Sequence, residues 1–207
     1  MLDRFLRATV TKILGPIARL LLRLGISPDI VTVVGTVGVS VGALYFFPRG
    51  ELWIGVLVIT AFVFSDTIDG IMARQSGGST KWGAYLDSTL DRIGDAAIFG
   101  GLVLYYAGMG DNRAMAGLAL ACLILGSVVS YARARAEGLG FTASVGIAER
   151  ADRLVAVLVA AFFADLFDST LLLGVVLALL AVASLVTVLQ RIMTVRSQAL
   201  AAGEVNL

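Results

Sequence analysis

The chain has 207 residues, of which 58% are hydrophobic, and its mean hydropathy is +0.93. Soluble domains are about 45–50% apolar, so this composition indicates an integral membrane protein. The net charge is only +1 and histidine is absent, which argues against a nucleic-acid-binding protein, a His-ligated zinc site and a Ser-His-Asp triad. Because Cys122 is the single cysteine, an internal disulfide is excluded.

The first 24 residues predict an amphipathic helix that lies on the membrane surface. Apolar and basic residues would occupy opposite sides of a helix with this sequence. A plain N-terminal membrane anchor is the alternative interpretation. The apolar positions are Leu2, Phe5, Leu6, Val10, Ile13, Leu14, Ile17, Leu21 and Leu24, and the basic positions are Arg4, Arg7, Lys12, Arg19 and Arg23.

Six apolar segments follow, each close to the ~20 residues that cross a bilayer as a helix. The predicted fold class is therefore an all-α integral membrane protein, with six transmembrane helices preceded by the N-terminal interfacial amphipathic helix. The predicted domains are the helix at 1–24, a six-helix domain at 25–196 and a flexible tail at 197–207. The six segments cover residues 30–48, 52–74, 83–109, 114–135, 148–167 and 169–194.

The basic residues predict the orientation in the membrane. Of the 16 lysine and arginine residues, all but Arg49 and Arg113 fall on the side that holds both termini. Because basic residues are concentrated on the cytoplasmic side of membrane proteins, this side is predicted to be cytoplasmic. The chain is accordingly expected to be a multi-pass protein of the plasma membrane.

Four aspartates lie at the ends of the second and third segments. Asp66 and Asp69 are three residues apart in "FSDTIDGIMAR" and share one helix face, and Asp87 and Asp91 are four residues apart. The connection between the two segments is short, so their helices are expected to be antiparallel neighbours. The four carboxylates are therefore predicted to converge near the cytoplasmic membrane surface.

Four neighbouring carboxylates repel one another in a medium of low dielectric constant unless a cation balances them. Their oxygen ligands suit Mg²⁺ or Mn²⁺, and two facing helices could hold two ions about 3.5–4 Å apart. One alternative is salt bridges to Arg74, Lys81 and Arg92, although these bases are fewer than the acids. Asp95 is expected to support Arg92 or the metal shell. A cation transporter is a remote alternative, because its acids would lie near mid-membrane.

The pattern Asp66-x2-Asp69-Gly70-x2-Ala73-Arg74-x8-Gly83-x3-Asp87-x3-Asp91 resembles, at every specified position, the signature of the CDP-alcohol phosphotransferase family. The resemblance implies a dimeric membrane enzyme with a cytoplasmic active site, which transfers a phosphatidyl or related group from a CDP-linked donor to an alcohol and releases CMP. It further implies that two divalent ions, expected to be Mg²⁺, are held by the four aspartates. Asp91 would also be the catalytic base that takes the proton of the acceptor hydroxyl.

A second element, "ISPDIVT" at residues 26–32, resembles the Ser/Thr-Pro-Asn-x-x-Thr segment of the same family, with Asp29 where Asn is commoner. Ser27, Pro28 and Asp29 also favour the start of a helix, and the two roles are compatible. The resemblance implies that the CDP-diacylglycerol contacts are Asp29, Ile30, Val31, Thr32, Asp69, Gly70, Arg74 and Thr80.

Three arginines near cytoplasmic helix ends predict the kind of acceptor. Arg133, Arg153 and Arg191 belong to three different segments, and together they could enclose one phosphate dianion. The alternative for any one of them is anchoring at the cytoplasmic membrane surface. Arg135 and Arg150 are secondary candidates.

The segments around these arginines resemble actinobacterial members of the family whose acceptor is inositol phosphate, although Arg133 stands where Lys is frequent. The expected reaction is transfer of the phosphatidyl group from CDP-diacylglycerol to inositol phosphate, giving phosphatidylinositol phosphate and CMP. The alternative acceptor is glycerol 3-phosphate, which would give phosphatidylglycerophosphate. Membrane lipids and a second copy of the chain are the other expected partners, and nucleic acid is not.

Overall fold

The structure is a computed structural model that describes residues 14–78, 80–147 and 149–203, without the side chain of Asp66. These residues form helices joined by short connections, with no strand among them, which confirms the predicted all-helical fold. The helices are α1 (residues 14–23), α2 (Pro28–Phe46), α3 (Leu52–Gln75), α4 (Lys81–Ala107), α5 (Arg113–Gly138), α6 (Arg150–Leu166) and α7 (Leu171–Ala201), and a 3-10 turn at Phe47–Arg49 follows α2.

Polar side chains cap the starts of three described helices: α2, α4 and, through Asn112, α5. The Ser27 hydroxyl accepts a hydrogen bond from the backbone N–H of Ile30 at the start of α2 (3.3 Å). Thr80 accepts one from Gly83 at the start of α4 (2.9 Å). Such N-caps satisfy backbone donors that have no partner within the helix, so they fix where each helix begins. The predicted helix start at Ser27 is confirmed.

The helices α2–α7 pack in a closed ring. The helix α2 contacts α3 and α4, α4 contacts α5, α5 contacts α7, and α6 contacts both α7 and α3. Their apolar side chains meet in one core that includes Phe47, Ile59, Leu102, Val157 and Leu177, all nearly inaccessible to solvent. Because every helix of the ring has two neighbours, each is fixed in position relative to the site described below.

Contacts at one end of the ring show how α4 and α6 run: α4 is parallel to α2, and α6 is antiparallel to α3. At one end, the Asp165 carboxylate of α6 accepts a hydrogen bond from the backbone N–H of Trp53 at the start of α3 (2.8 Å). At the same end, Tyr105 of α4 lies beside Gly50, just after α2. The connections from α3 to α4 and from α5 to α6 lie at the opposite end, which carries the acidic and basic side chains singled out in the sequence.

The short helix α1 is docked on the ring. Ala18 is buried against Ile71 and Met72 near the end of α3. Ile17 of α1 and Leu24, the residue directly after α1, remain exposed. Residues 1–13 of the predicted amphipathic helix lie outside the described part of the chain.

Within the described part of the chain, four helices are long and apolar enough to cross a membrane: α2 with its 3-10 turn, α3, α5 and α7. The chain is accordingly a membrane protein. The helix α7 extends to Ala201, so residues 197–201, predicted to belong to a flexible tail, form its last turn, and residues 204–207 lie outside the described part.

Candidate active site

A cavity of about 520 Å³ opens where α2 and α4 begin and α3 ends. The predicted donor-site residues Asp29, Thr32, Gly70, Arg74 and Thr80 line it. Two helix N-termini border the cavity, and the positive ends of helix dipoles favour anionic groups. Its complete lining is Ser27, Pro28, Asp29, Thr32, Asp69, Gly70, Ala73, Arg74, Ser76, Gly78, Thr80, Gly83, Ala84 and Asp87.

Two of the predicted metal ligands, Asp69 and Asp87, face this cavity. Asp69 is 8% exposed, and the Thr32 hydroxyl lies 2.6 Å from its Oδ2 atom. The same hydroxyl is 3.1 Å from the Pro28 carbonyl oxygen. Since a hydroxyl has one hydrogen, the shorter contact to the charged carboxylate is favoured. Thr32 therefore fixes the orientation of Asp69 from the neighbouring helix.

Two predicted donor contacts do not reach the cavity. Ile30 is 52% exposed, and Val31 packs against the cluster formed by α1 and α3. Asp29 and Thr32, three residues apart, share the inner face of α2, whereas the two residues between them point elsewhere because of the helical period. The structure thus brings Asp29 and Thr32 to the cavity but not Ile30 and Val31, whose contact with the donor stays a prediction.

The indole of Trp82 is a residue that the sequence motifs do not single out. Its Nε1–H donates to Asp29 Oδ2 at 3.0 Å, linking the start of α4 to the start of α2 at the cavity. The indole is 59% exposed, and its ring lies near that of Tyr85. The only sequence signal is an aromatic residue two positions after the Thr80 cap.

Asp91 lies in a separate small cavity of about 40 Å³, which shares Thr32 with the larger one. Its Oδ1 atom is 2.7 Å from a guanidinium nitrogen of Arg150. The Nε atom of Arg150 is 3.0 Å from Asp95 Oδ1. Arg92 approaches both carboxylates at 3.5 and 3.8 Å, and its guanidinium contacts the Ser130 hydroxyl. The predicted support of Arg92 by Asp95 is present, and Arg150 joins it.

The donor set of the larger cavity fits a hard divalent cation. Asp69 and Asp87 supply oxygen only, and neither nitrogen nor sulfur ligands line the cavity. Among the residues that the structure describes, no three acidic side chains form a metal cluster. The side chain of Asp66, the other predicted ligand on α3, lies outside them. The structure therefore brings Asp69 and Asp87 together and places Asp91 one cavity away.

The three predicted acceptor arginines lie on α5, α6 and α7, and one of them, Arg153, lies beside Asp95. Arg153 is 2% and Arg191 is 7% exposed. Arg153 approaches Asp95 Oδ2 at 3.7 Å, and Arg191 donates to the carbonyl oxygens of Val145 (3.0 Å) and Val129. Arg153 and Arg191 are close enough to repel each other electrostatically.

Arg133 differs from the other two arginines. It pairs with Glu137 one turn along α5 at 2.8 Å, and about half of its side chain is exposed. It is also near enough to Arg191 to repel it. The three arginines thus form one electropositive region in which two members are buried and one is open to solvent, an arrangement suited to an anion that enters from the surface.

The family model for CDP-alcohol phosphatidyltransferases matches residues 25–189. The chain therefore belongs to this family, and the predicted enzyme class, a CDP-alcohol phosphotransferase, is confirmed. It is 52% identical to the phosphatidylinositol phosphate synthase of Streptomyces avermitilis over 204 residues, which cover 96% of this chain and 84% of the relative. It is 46% identical to the enzyme of the same name from Cutibacterium acnes, over 95% of this chain and 98% of the relative.

Two solved structures of a Mycobacterium tuberculosis phosphatidylinositol phosphate synthase are similar to the whole fold. The structure with CDP-DAG bound has a TM-score of 0.85 and 45% identity, over 89% of this chain and 94% of that one. The structure in complex with manganese and citrate has a TM-score of 0.84 and 45% identity, over 88% of each chain. At this identity the similarity concerns sequence and fold together.

Proposed function

We propose that the chain transfers the phosphatidyl group of CDP-diacylglycerol to inositol phosphate, giving phosphatidylinositol phosphate and CMP. The observation that carries this proposal is the cavity that gathers Asp69, Gly70, Arg74 and Asp87 of the family signature with Thr32 of the second motif. The relatives that carry the name of this activity, and the similar structure with CDP-DAG bound, support the same donor and acceptor.

The larger cavity is the donor site. Its acidic lining would repel the donor diphosphate without a cation, while Arg74 and the N-termini of α2 and α4 attract phosphate oxygens. The cytidine contacts are assigned to Asp29, Thr32 and Thr80, with Trp82 holding Asp29 in place. The diacyl tails extend toward the lipid that surrounds the ring of helices.

Divalent cations, with Mg²⁺ proposed as the physiological ion, complete the donor site. Asp69 and Asp87 would hold them together with Asp66 and Asp91, in the two-ion arrangement that the motif implies, and the similar structure with manganese supports a metal at such a site. When bound, they neutralise the charge that develops on the phosphates during transfer. Thr32 holds the carboxylate of Asp69 ready for this role.

The transfer step needs a base for one proton. The hydroxyl oxygen of the acceptor attacks the phosphorus that carries the diacylglycerol, a new P–O bond forms, and the bond to the CMP oxygen breaks. Asp91 accepts the hydroxyl proton, and CMP leaves with the bonding electron pair. The small cavity that holds Asp91 adjoins the donor cavity at Thr32, so base and donor are neighbours.

The acceptor phosphate is assigned to Arg133, Arg153 and Arg191. A dianion beside a diphosphate and several carboxylates requires dedicated positive charge, and these side chains supply it from three helices. Glycerol 3-phosphate carries the same phosphate, so the arginines fit it equally well. The relatives' names favour inositol phosphate.

The proposed membrane arrangement has six spans, both termini and the active site on the cytoplasmic side of the plasma membrane, and a homodimer as the assembled form. The contacts of Asp165 with Trp53 and of Tyr105 with Gly50 place the end of α6 beside the start of α3 and the end of α4 beside the end of α2, which supports crossing by all six helices. The exposed Ile17 of α1 and the exposed Leu24 directly after it, beside the basic side of this helix, support an interfacial position for residues 1–24.

The decisive experiment is CMP release by the purified protein with CDP-diacylglycerol and each acceptor in turn. Inositol phosphate should give turnover well above that with glycerol 3-phosphate or unphosphorylated inositol. EDTA should abolish CMP release, and Mg²⁺ or Mn²⁺ should restore it. Equal turnover with free inositol would contradict the acceptor assignment, and full turnover in EDTA would contradict the metal assignment.

A further inference from the structure

Arg150, the first residue of α6, joins two carboxylates of α4. One terminal guanidinium nitrogen is 2.7 Å from Asp91 Oδ1, and Nε is 3.0 Å from Asp95 Oδ1. Asp95 lies one turn after Asp91 and is only 7% exposed. The planar guanidinium thus bridges a buried carboxylate and the proposed base through two different nitrogens, a geometry that a lysine cannot reproduce.

Helix stability does not explain an arginine at this position. The N-terminus of a helix carries partial positive charge, so a cation in the first turn is unfavourable and an acid is favoured. Arg150 is nevertheless the first residue of α6, directly after Glu149. The compensating negative charge comes from α4, more than fifty positions away along the chain. The contact therefore fixes α6 against α4 at the level of the proposed base.

Asp95, the buried carboxylate that Arg150 contacts, is itself fixed by other residues. Asp95 is also approached by Arg92 at 3.8 Å and by the buried Arg153 at 3.7 Å, so its position is determined from several sides. Arg150 is about 30% exposed and lines the small cavity together with Asp91. The fixed carboxylate of Asp95 therefore holds the guanidinium of Arg150, and this guanidinium in turn holds the carboxylate of Asp91, which faces the small cavity.

We infer that Asp95 and Arg150 are positioning residues, which hold the carboxylate of Asp91 in one orientation for proton transfer from the acceptor hydroxyl. This inference rests on the proposed function. It separates Arg150 from the acceptor-phosphate ligands and gives Asp95 a defined role, distinct from that of a metal ligand. Misplacement of a reacting group by about 1 Å can cost on the order of 100-fold in rate, so an orienting pair of this kind acts on turnover.

The test uses purified full-length variants Arg150→Gln, Arg150→Lys, Asp95→Asn and the double variant Arg150→Gln/Asp95→Asn. Arg150→Gln should lower kcat about 10–100-fold with less than a threefold change in the KM of either substrate. Arg150→Lys should recover only part of the loss, because it keeps the charge without the two-pronged contact. The double variant should be no slower than the slower single variant, since both changes remove the same constraint.

A second readout separates positioning from a general structural role. Arg150→Gln removes a positive charge near a proposed metal ligand, so binding of Mn²⁺, measured by titration of the purified protein, should be unchanged or tighter. Arg196→Gln, an exposed arginine of α7, is the matched control and should change neither kcat nor Mn²⁺ binding. Should Asp95→Asn not fold, the comparison of Arg150→Gln with Arg150→Lys and the Mn²⁺ titration decide alone.

Three outcomes would overturn the inference. A higher acceptor KM with unchanged kcat in Arg150→Gln would make Arg150 an acceptor ligand. Additive losses in the double variant would mean that Arg150 and Asp95 act separately. Parallel loss of Mn²⁺ binding and kcat would indicate structural damage. Absence of wild-type CMP release with any phospho-alcohol would overturn the proposed function and this inference together, which distinguishes it from the other three.

Discussion

The hydroxyl of Thr32 connects the segment at residues 26–32 with the aspartate motif at residues 66–91. It lies 2.6 Å from Asp69 Oδ2 across the interface of α2 and α3. A hydrogen bond to a charged group contributes about 1.5–3 kcal/mol. Because Asp69 is buried at the end of a membrane helix, loss of this donor leaves its carboxylate less firmly oriented toward the cavity.

Thr32→Val should therefore lower kcat/KM for CDP-diacylglycerol about 10–100-fold, while Thr32→Ser, which keeps the hydroxyl, should stay within a few fold of wild type. The Mg²⁺ concentration for half-maximal activity should rise in the valine variant only. Steady-state CMP release at varied donor and varied Mg²⁺ measures both. Similar losses in Ser and Val would show that shape, and not the hydrogen bond, matters at this position.

Replacement of Arg133 and replacement of Arg191 should differ in their effect on the stability of the protein. Arg133 is half exposed and pairs with Glu137 on its own helix, so Arg133→Gln should raise the acceptor KM about tenfold and leave the folded state unchanged. Arg191 donates to two backbone carbonyls, so Arg191→Gln should raise the acceptor KM and also lower thermal stability.

Kinetics with inositol phosphate varied at saturating donor, together with thermal unfolding of the same samples, tests this difference. Glu137→Gln is the control for Arg133, since it removes the ion pair and keeps the arginine. If either arginine variant weakens the donor and spares the acceptor, the assignment of this region to the acceptor phosphate is wrong.

At the scale of single residues, the spacing of the motif residues predicted those contacts of the site that depend only on neighbouring helices. Asp69 and Gly70 on one helix and Asp87 on the next reach one cavity because a short connection makes their helices antiparallel neighbours. The pairing of Asp91 with Arg150 was beyond such reasoning. It depends on a side-chain contact between the start of α6 and α4, two helices separated by α5 in the chain, and so on the arrangement of the whole ring.

At the scale of helices, close contacts depend on glycine at particular positions. A Cβ atom on Gly101 of α4 would lie 2.7 Å from the carbonyl oxygen of Ala43 on α2. Backbone cannot move aside as a side chain can, so the two helices would have to separate. Gly100, one residue earlier, has no such neighbour within 4 Å, and it provides a matched comparison on the same helix.

Gly101→Ala should destabilise the protein by about 1–3 kcal/mol through overpacking. Gly100→Ala should be neutral or slightly stabilising, because alanine is the better helix former. Thermal unfolding of both variants in the same detergent, followed by tryptophan fluorescence, gives the comparison. Equal melting temperatures for the two variants would contradict the close approach of α2 and α4 at this level.

Hydropathy predicted where these helices lie better than where they end. The third segment was expected from residue 83 and the fifth from 148, whereas α4 begins at Lys81 and α6 at Arg150. The last helix continues to Ala201. Apolar composition reports which residues favour lipid, but helix ends are set by capping groups such as Thr80, and by contacts outside the lipid.

At the scale of the whole molecule, the topology depends on how many helices cross the membrane. The helices α2, α3, α5 and α7 are long and apolar enough by themselves. The first turns of α4 carry Asp87, Asp91 and Asp95, and α6 has 17 residues, a length of about 25 Å against a hydrocarbon core of about 30 Å. The charges of α4 and the short length of α6 therefore explain why hydropathy and length alone do not identify these two helices as membrane spans.

Single-cysteine labelling can decide this, because the sequence has one cysteine. Cys122 is 1% exposed, so a Cys122→Ala background is expected to remain folded and to give no label. Four exposed positions report on the two helices in question: Gln75 and Met109 flank α4, and Ser144 and Ser169 flank α6. Each is changed to cysteine singly, and CMP release by each variant verifies that the fold is retained.

With six spans and a cytoplasmic active site, a membrane-impermeant maleimide added to intact cells should label Met109→Cys and Ser169→Cys and spare Gln75→Cys and Ser144→Cys. Permeabilised cells should label all four. If α4 did not cross, Gln75→Cys and Met109→Cys would label alike, and the same logic applies to Ser144→Cys and Ser169→Cys for α6. The reversed pattern, with label on Gln75→Cys and Ser144→Cys only, would keep six spans and contradict only the orientation. The α3–α4 and α5–α6 connections, which lie nearest the acidic and basic side chains, would then face outward, away from a cytoplasmic supply of the CDP-linked donor.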